Sequence, residues 1–249
     1  MILLKKPSEI EKMRLAGRVV AKAIRVMSEA IVPGKTTPRE LDAIGERIVH
    51  EAGGIPSFKG YRGYPAATCI SVNEAVVHGI PNDNPLMEGD IVGLDLGVFI
   101  DGWHADGAWT FPVGTVSPEA TKLMNVTREA LYQGIAKARI GNVIGDISAT
   151  VQRYVEANGF SIVQDLVGHG TGRKVHEEPS VPNFGKAGKG DRIKEGLTIC
   201  IEPMVNAGTY KVKTMPDKWT CVTADGKYSA HFEHTIAITK NGPEILTLE

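Results

Sequence analysis

Cysteine is scarce in this chain, with only Cys69, Cys200 and Cys221 in 249 residues. Three thiols so far apart build neither a disulfide framework nor a zinc knuckle, and their number fits a reducing compartment. An excess of one charge is lacking too: the formal net charge is −1, which removes the electrostatic basis for tight DNA binding. No run of about 18 apolar residues occurs, so no membrane-spanning helix is expected. The opening Met1-Ile2-Leu3-Leu4-Lys5-Lys6-Pro7 turns charged too soon for a signal peptide. These absences lead to the expectation of a cytoplasmic protein without membrane or DNA partners. No low-complexity linker divides the chain. Its 42% hydrophobic and 23% charged residues suit one large domain or two intimately joined halves.

What is present centres on the stretch Ile91 to Asp106. An apolar run reaches Asp95, crosses Asp101-Gly102 and returns to Asp106. Asp-Gly between strand-like residues is a strong hairpin signal. With Asp101-Gly102 as the two-residue turn, residue 100 faces 103 and residue 97 faces 106. Side chains alternate along a strand, so Asp95 shares the face of residue 97. Asp95 and Asp106 then become diagonal neighbours, with Cβ atoms within roughly 7–8 Å. Two carboxylates that close on an apolar ribbon repel unless a proton or a cation lies between them.

Four helices are expected around this hairpin. Ser8-Glu9-Ile10-Glu11 reads as a capping box. Ile10, Met13, Gly17, Val20, Ile24 and Met27 follow at helical spacing, until Pro33-Gly34 stops the helix. Thr37-Pro38-Arg39-Glu40 opens a second helix, which turns Leu41, Ile44 and Ile48 inward and ends at Gly53-Gly54. Ser117-Pro118-Glu119 begins a third that fades near Ala138. A fourth runs from about Asp146 to Asn158, with Ile147, Val151, Tyr154 and Val155 on one face. Ala67 to Val72 is strand-like, and the chain beyond the fourth helix reads as short strands and glycine-rich loops.

The chain also echoes itself. Glu88-Gly89-Asp90-Ile91-Val92-Gly93-Leu94-Asp95 aligns without gaps on Glu195-Gly196-Leu197-Thr198-Ile199-Cys200-Ile201-Glu202, and Gly34 and Gly141 share the same offset of 107 residues. Self-similarity at a fixed offset implies two copies of one unit. The expected halves are about 1–115 and 116–249 of a single catalytic domain spanning 1–249. Chance agreement between two buried strands is the alternative, because the matched span is short. With a real duplication, Asp95 and Glu202 occupy equivalent strands and point at a common seam.

Five candidate metal ligands emerge: Asp95, Asp106, His169, Glu202 and Glu233. Four carboxylates and one imidazole suit Mn(II), Co(II), Fe(II) or Zn(II) better than a thiolate site would. A bridging carboxylate pair plus one further ligand per ion is what holds two ions about 3.5–4 Å apart. The glycines around His169 let its backbone approach closely. Singly, Asp95 or Glu202 reads equally well as a buried, hydrogen-bonded structural acid, and His169 as a loop residue.

Taken in order, the motifs are more specific. They are Asn73-Glu74-Ala75-Val76-Val77-His78-Gly79-Ile80-Pro81, Asp95 with Asp101-Gly102 and Asp106, and Gly168-His169-Gly170-Thr171-Gly172. His176-Glu177-Glu178-Pro179, Glu202-Pro203-Met204 and Phe232-Glu233-His234-Thr235 complete the set. Together they resemble the type I methionine aminopeptidases, the short pita-bread metallopeptidases of family M24, along essentially the whole chain. The resemblance implies an α/β (α+β) pita-bread fold, in which pseudo-two-fold halves share a curved antiparallel sheet covered by four helices. It implies removal of the initiator methionine from nascent polypeptides, preferentially before a small, uncharged residue. It also implies two divalent metal ions (Co, Mn, Fe or Zn) as cofactors. On that basis Asp95 would chelate one ion, Asp106 and Glu233 would bridge, and His169 and Glu202 would complete the second. Glu202 would also shuttle a proton, His78 would contact the scissile amide, and His176 would donate to the developing oxyanion.

On the substrate side, Tyr61, Tyr64, Cys69 and Trp219 match the family's methionine pocket, and Phe58 is a further candidate. Apolar and aromatic walls tolerate a flexible thioether. Three positions depart from the family pattern. Val175 stands where a larger aromatic residue is frequent, which predicts a more open pocket rim. Arg62 replaces the histidine of some relatives, and Gly107 follows Asp106 where serine or threonine is frequent. Lys186, Lys189, Arg192 and Lys194 gather in one glycine-rich loop. A solvated loop is the default, and a transient contact with the polyanionic ribosome is the sharper expectation for an otherwise monomeric enzyme. Two other functions compete. An X-Pro dipeptidase or aminopeptidase P usually carries a substantial N-terminal domain, and a non-catalytic RNA- or protein-binding module would have lost ligands.

Overall fold

The computed structural model describes residues 1–249. Four helices form where their caps dictate. Thr37 Oγ1 accepts from Glu40 N at 3.2 Å while Glu40 Oε2 accepts from Thr37 N at 2.8 Å, which starts α2 (Pro38–Glu51). Ser117 accepts from Ala120 N to start α3 (Pro118–Lys137). The start of α1 (Pro7–Glu29) differs from expectation: the cap is Lys6, and Glu9 rather than Glu11 accepts from its amide, at 2.9 Å. Pro7 explains the shift, because its fixed φ and missing N–H favour the first helical position. In α4 (Ile144–Ala157), Asp146 lies inside the first turn and accepts from Val143 N at 2.9 Å.

A nine-stranded antiparallel sheet organises the rest. Its main path runs through Ile55–Pro56, Ile91–Ile100, Trp103–Pro112, Glu233–Thr239, Thr198–Ile201, Gly168–Gly170 and Glu177–Val181. Cys69–Val72 pairs onto Ile91–Ile100, and Gly242–Ile245 onto Glu233–Thr239. The hairpin register is as predicted: Ile100 faces Trp103 and Gly97 faces Asp106. Asp101 and Gly102 take φ 51° and 82°, the left-handed pair that a type I′ turn needs. The strand expected from Ala67 begins only at Cys69. Thr68 N and Oγ1 both donate to Asp42 Oδ1 at 2.8 Å, so that amide is withdrawn from the ladder.

One face of the sheet carries the helices. Val92, Leu94, Leu96 and Val98 pack with Val20, Ile24, Met27, Leu41 and Ile48 of α1 and α2. Ile199, Ile201, Ile236 and Ile238 pack with Leu123, Leu131, Ile147 and Val151 of α3 and α4. Each such aliphatic side chain contributes about 1.5–3 kcal/mol by burial, which holds the strands in one orientation. Asp95, Gly97 and Phe99 therefore take the opposite face. That face is covered too, which is why Ile91–Ile100 reads as a continuous apolar run. Gly34 and Gly141 share positive φ (70° and 99°), as do Gly89 and Gly196 (93° and 82°), so the glycines of the echoed segments adopt matching backbone conformations.

Candidate active site

The five expected ligands converge on the face away from the helices. Asp95, Asp106 and Glu233 each bring a carboxylate oxygen within 4.8 Å of the others. His169 Nε2 lies 3.4 Å from Glu202 Oε1. Asp106 and Glu233 are 3% exposed and Asp95 9%. So many buried carboxylates cannot all stay ionised alone. Burial, then the neighbouring carboxylates, pushes Asp95, Glu202 and Glu233 well above the ordinary range. Burial moves Asp106 up to about 7, although the Gly107 amide donates to it.

His169 has the opposite problem. Burial, then His176, drives its pKa down to about 3, so the ring is neutral. Its Nδ1 donates to Gly170 O at 2.9 Å, which leaves the Nε2 lone pair facing Glu202. Asp95 Oδ1 and Glu233 Oε1 are buried without any hydrogen-bond partner. Lone pairs from oxygen and imidazole, with no donor to satisfy them, are the donor set that a divalent cation takes.

Sequence reasoning gave no role to three residues here. Thr235 Oγ1 accepts from Asp106 N at 2.9 Å and donates to Asp106 O at 2.8 Å, which pins that residue's backbone. Cys200 Sγ lies 3.4 Å from Thr235 Oγ1, and it also groups with His169 and Glu233. His231 is buried with Nε2 unpaired, 3.8 Å from Glu202 Oε2. Each stands two positions from Glu202 or Glu233, so the period of an extended chain was the signal that could have found them.

A cavity of about 460 Å³ opens onto this cluster, lined by Phe58, Tyr61, Tyr64, Cys69, Trp219, His78 and His176 among others. The Tyr64 hydroxyl donates toward Thr68 O and Gly79 O, both at 3.0 Å, and its ring meets Trp219 edge-on at 5.1 Å. His176 sits at the mouth, with Nδ1 3.0 Å from Tyr61 Oη and its ring 4.3 Å from that of His169. His78 holds φ 60°. A larger open hollow of about 700 Å³ runs along α3 and α4, and the acidic cluster is not part of it.

The departures from the family pattern resolve differently. Val175 is 3% exposed and absent from the cavity wall, so its side chain does not narrow the rim. His176, the next residue in the same loop, lines the cavity instead. Gly107 points at α1, where an added Cβ would stand 3.1 Å from Val20 Cγ1, so a hydroxyl there would not reach the carboxylates. Arg62 does line the cavity, with its guanidinium 5.4 Å from the Tyr61 ring centre.

Residues 11–240 match metallopeptidase family M24. The methionine aminopeptidase of Clostridium perfringens is 54% identical over 248 residues, covering 100% of this chain and 99% of that protein. The chain belongs to the M24 methionine aminopeptidases. Methionine aminopeptidase 1 of Bacillus subtilis is 50% identical over 247 residues, or 99% of each protein. The crystal structure of the Thermotoga maritima methionine aminopeptidase superposes with a TM-score of 0.98 at 47% identity, covering 100% of both chains. This M24 chain is therefore a metal-dependent hydrolase with four helices on an antiparallel sheet. No helix is long and apolar enough to cross a membrane.

Proposed function

We propose that Asp95, Asp106, His169, Glu202 and Glu233 hold two divalent cations, and that the adjoining cavity takes the N-terminal methionine of a nascent polypeptide for hydrolytic removal. The observation that carries this is the pair of buried, unpartnered oxygens, Asp95 Oδ1 and Glu233 Oε1, at the cavity floor. When bound, the cations lower the pKa of water and polarise the substrate carbonyl.

The chain's own residues do the rest. Glu202, raised by burial and then by Asp106 and Asp95, takes a proton at a carboxylate oxygen and returns it to the departing amine. His176 Nδ1 lies 3.0 Å from Tyr61 Oη; in the tautomer where Tyr61 donates, the ring proton sits on Nε2 and can be given to an oxygen that gathers charge only in the transition state. His78 contacts the scissile amide. Phe58, Tyr61, Tyr64, Cys69 and Trp219 accept the thioether side chain, and a small, uncharged second residue is the preferred neighbour.

The two halves, about 1–115 and 116–249, meet at this centre and form one catalytic domain. The enzyme works in the cytoplasm as a monomer. Lys186, Lys189, Arg192 and Lys194, all exposed, give it a transient contact with the ribosome.

Metal-reconstituted turnover of a Met-Ala-Ser peptide beside an X-Pro counterpart tests the assignment, with bound metal counted in the same samples. Cleavage of the methionyl peptide alone, with about two ions per chain, is the expected result. Preference for the X-Pro peptide would move the chain to the proline-directed enzymes.

A further inference from the structure

Lys5 is the one lysine or arginine that the fold buries, at 6% exposure. A cation is taken out of water only where a partner offsets the desolvation. The partner is Glu177: Lys5 Nζ lies 2.7 Å from Glu177 Oε2, with the two side chains 3% and 7% exposed, and it also donates to Leu3 O at 3.0 Å.

Glu177 uses its other oxygen on its own loop. Glu177 Oε1 accepts from Arg173 N at 2.7 Å and from Lys174 N at 3.1 Å. One carboxylate thus closes the turn that leads into His176, and the ammonium from the N-terminal segment holds that carboxylate in place. Lys5 is itself anchored, its amide donating to Gly196 O at 2.7 Å. Gly172 and Gly196 have no room for a Cβ because Lys5 occupies that space. On the far side, His104 N donates to Gly172 O at 2.7 Å. The loop that carries His176 is therefore gripped between the N-terminal segment and the Asp95–Asp106 hairpin, and Glu177 adjoins His176 in the chain.

We propose that Lys5 and Glu177 are positioning residues, and that their buried ion pair sets the place of the His176 imidazole at the cavity mouth. This rests on the reading of His176 as the donor to the developing oxyanion. Without the ammonium, a buried carboxylate keeps only two amide donors, and the loop shifts to reach water. A displacement of about 1 Å at a transition-state donor is enough to slow turnover.

The test is a double-mutant cycle in kcat with a Met-Ala-Ser peptide on the metal-loaded protein. Lys5→Met, and the charge-neutral pair Lys5→Met/Glu177→Gln as a check on folding, should lower kcat about tenfold or more. KM should move less than about twofold, and calorimetric metal affinity should not move. Lys5→Arg restores the cation and should recover most of the loss. Placed on His176→Ala, the Lys5→Met change should cost nothing further, because the group it positions is gone. An equal loss in both backgrounds, or wild-type kcat in Lys5→Met while His176→Ala is impaired, would overturn the positioning role alone. Full activity in His176→Ala would overturn the role of His176 itself, and the positioning role with it.

Discussion

Gly97 faces Asp106 across the hairpin, and the missing side chain leaves room for the pocket wall. A Cβ at residue 97 would stand 2.8 Å from Ser57 Cβ and 3.0 Å from Phe58 Cε1. Gly97→Val should therefore push Phe58 out of the cavity while leaving the carboxylates in register. The expected result is a several-fold rise in KM for a methionyl peptide with little change in metal affinity. Overpacking should cost about 1–3 kcal/mol in stability. Steady-state kinetics and metal titration on one preparation decide it; unchanged KM would show that Phe58 does not shape the pocket.

What the sequence made legible was local. The Asp101-Gly102 turn and the period of two were enough to place Asp95 and Asp106 together. The caps at Thr37 and Ser117 were legible because each is closed within four residues. Ser8 misled because Pro7, one position earlier, outweighed it as the helix start. The pairing of Lys5 with Glu177 spans 172 positions, and nothing near either residue signals the other. His231 and Cys200 were within reach of the alternation rule. They were given no role because they do not belong to the five-ligand motif.

Metal removal should make stability depend on pH with a definite sign. Above about pH 7.5, a unit beyond the ordinary imidazole pKa, the histidines whose pKa burial lowers are neutral in both folded and unfolded chains. The buried carboxyls still differ: burial holds Asp106 up to about 7, and burial with neighbouring charges holds Asp95, Glu202 and Glu233 higher than usual. The folded, metal-free protein then binds more protons than the unfolded one, so its stability falls as pH rises through this window. Glu177, which burial pushes up but Lys5 and the loop amides pull down further, titrates below the window and does not interfere. In chelator, the thermal midpoint should drop between about pH 7.5 and about pH 8.5, by about 2–4 °C for each kcal/mol lost. A saturating divalent cation should abolish the drop. A midpoint that rises over this range in chelator would contradict the acidic cluster as described.

Glu202→Gln separates proton transfer from binding. The amide keeps the shape but cannot carry a proton between water and amine, and it donates toward His169 where a lone pair was. Turnover should fall on the order of 10²–10⁴-fold. Metal affinity should weaken measurably in calorimetry, because a charged ligand has become neutral. Retention of both would remove Glu202 from the centre.

His78 allows side-chain chemistry to be told apart from backbone strain. It holds φ 60°, a conformation that costs a non-glycine residue about 1–3 kcal/mol. The next residue leaves no slack, since Gly79 has no room for a Cβ against the Ile70 backbone. The imidazole lines the cavity, and burial lowers its pKa. His78→Ala removes the ring and keeps the strain, whereas His78→Gly removes both. Both variants should lose turnover on the order of a hundredfold, if the ring acts on the scissile amide. Their thermal midpoints should nevertheless differ, with the glycine variant higher by about 2–4 °C for each kcal/mol of strain released. Equal midpoints would mean that the surrounding contacts, and not the residue's own torsion, decide the conformation at this position. Wild-type turnover in either variant would mean that the strain is retained for something other than contact with the scissile amide.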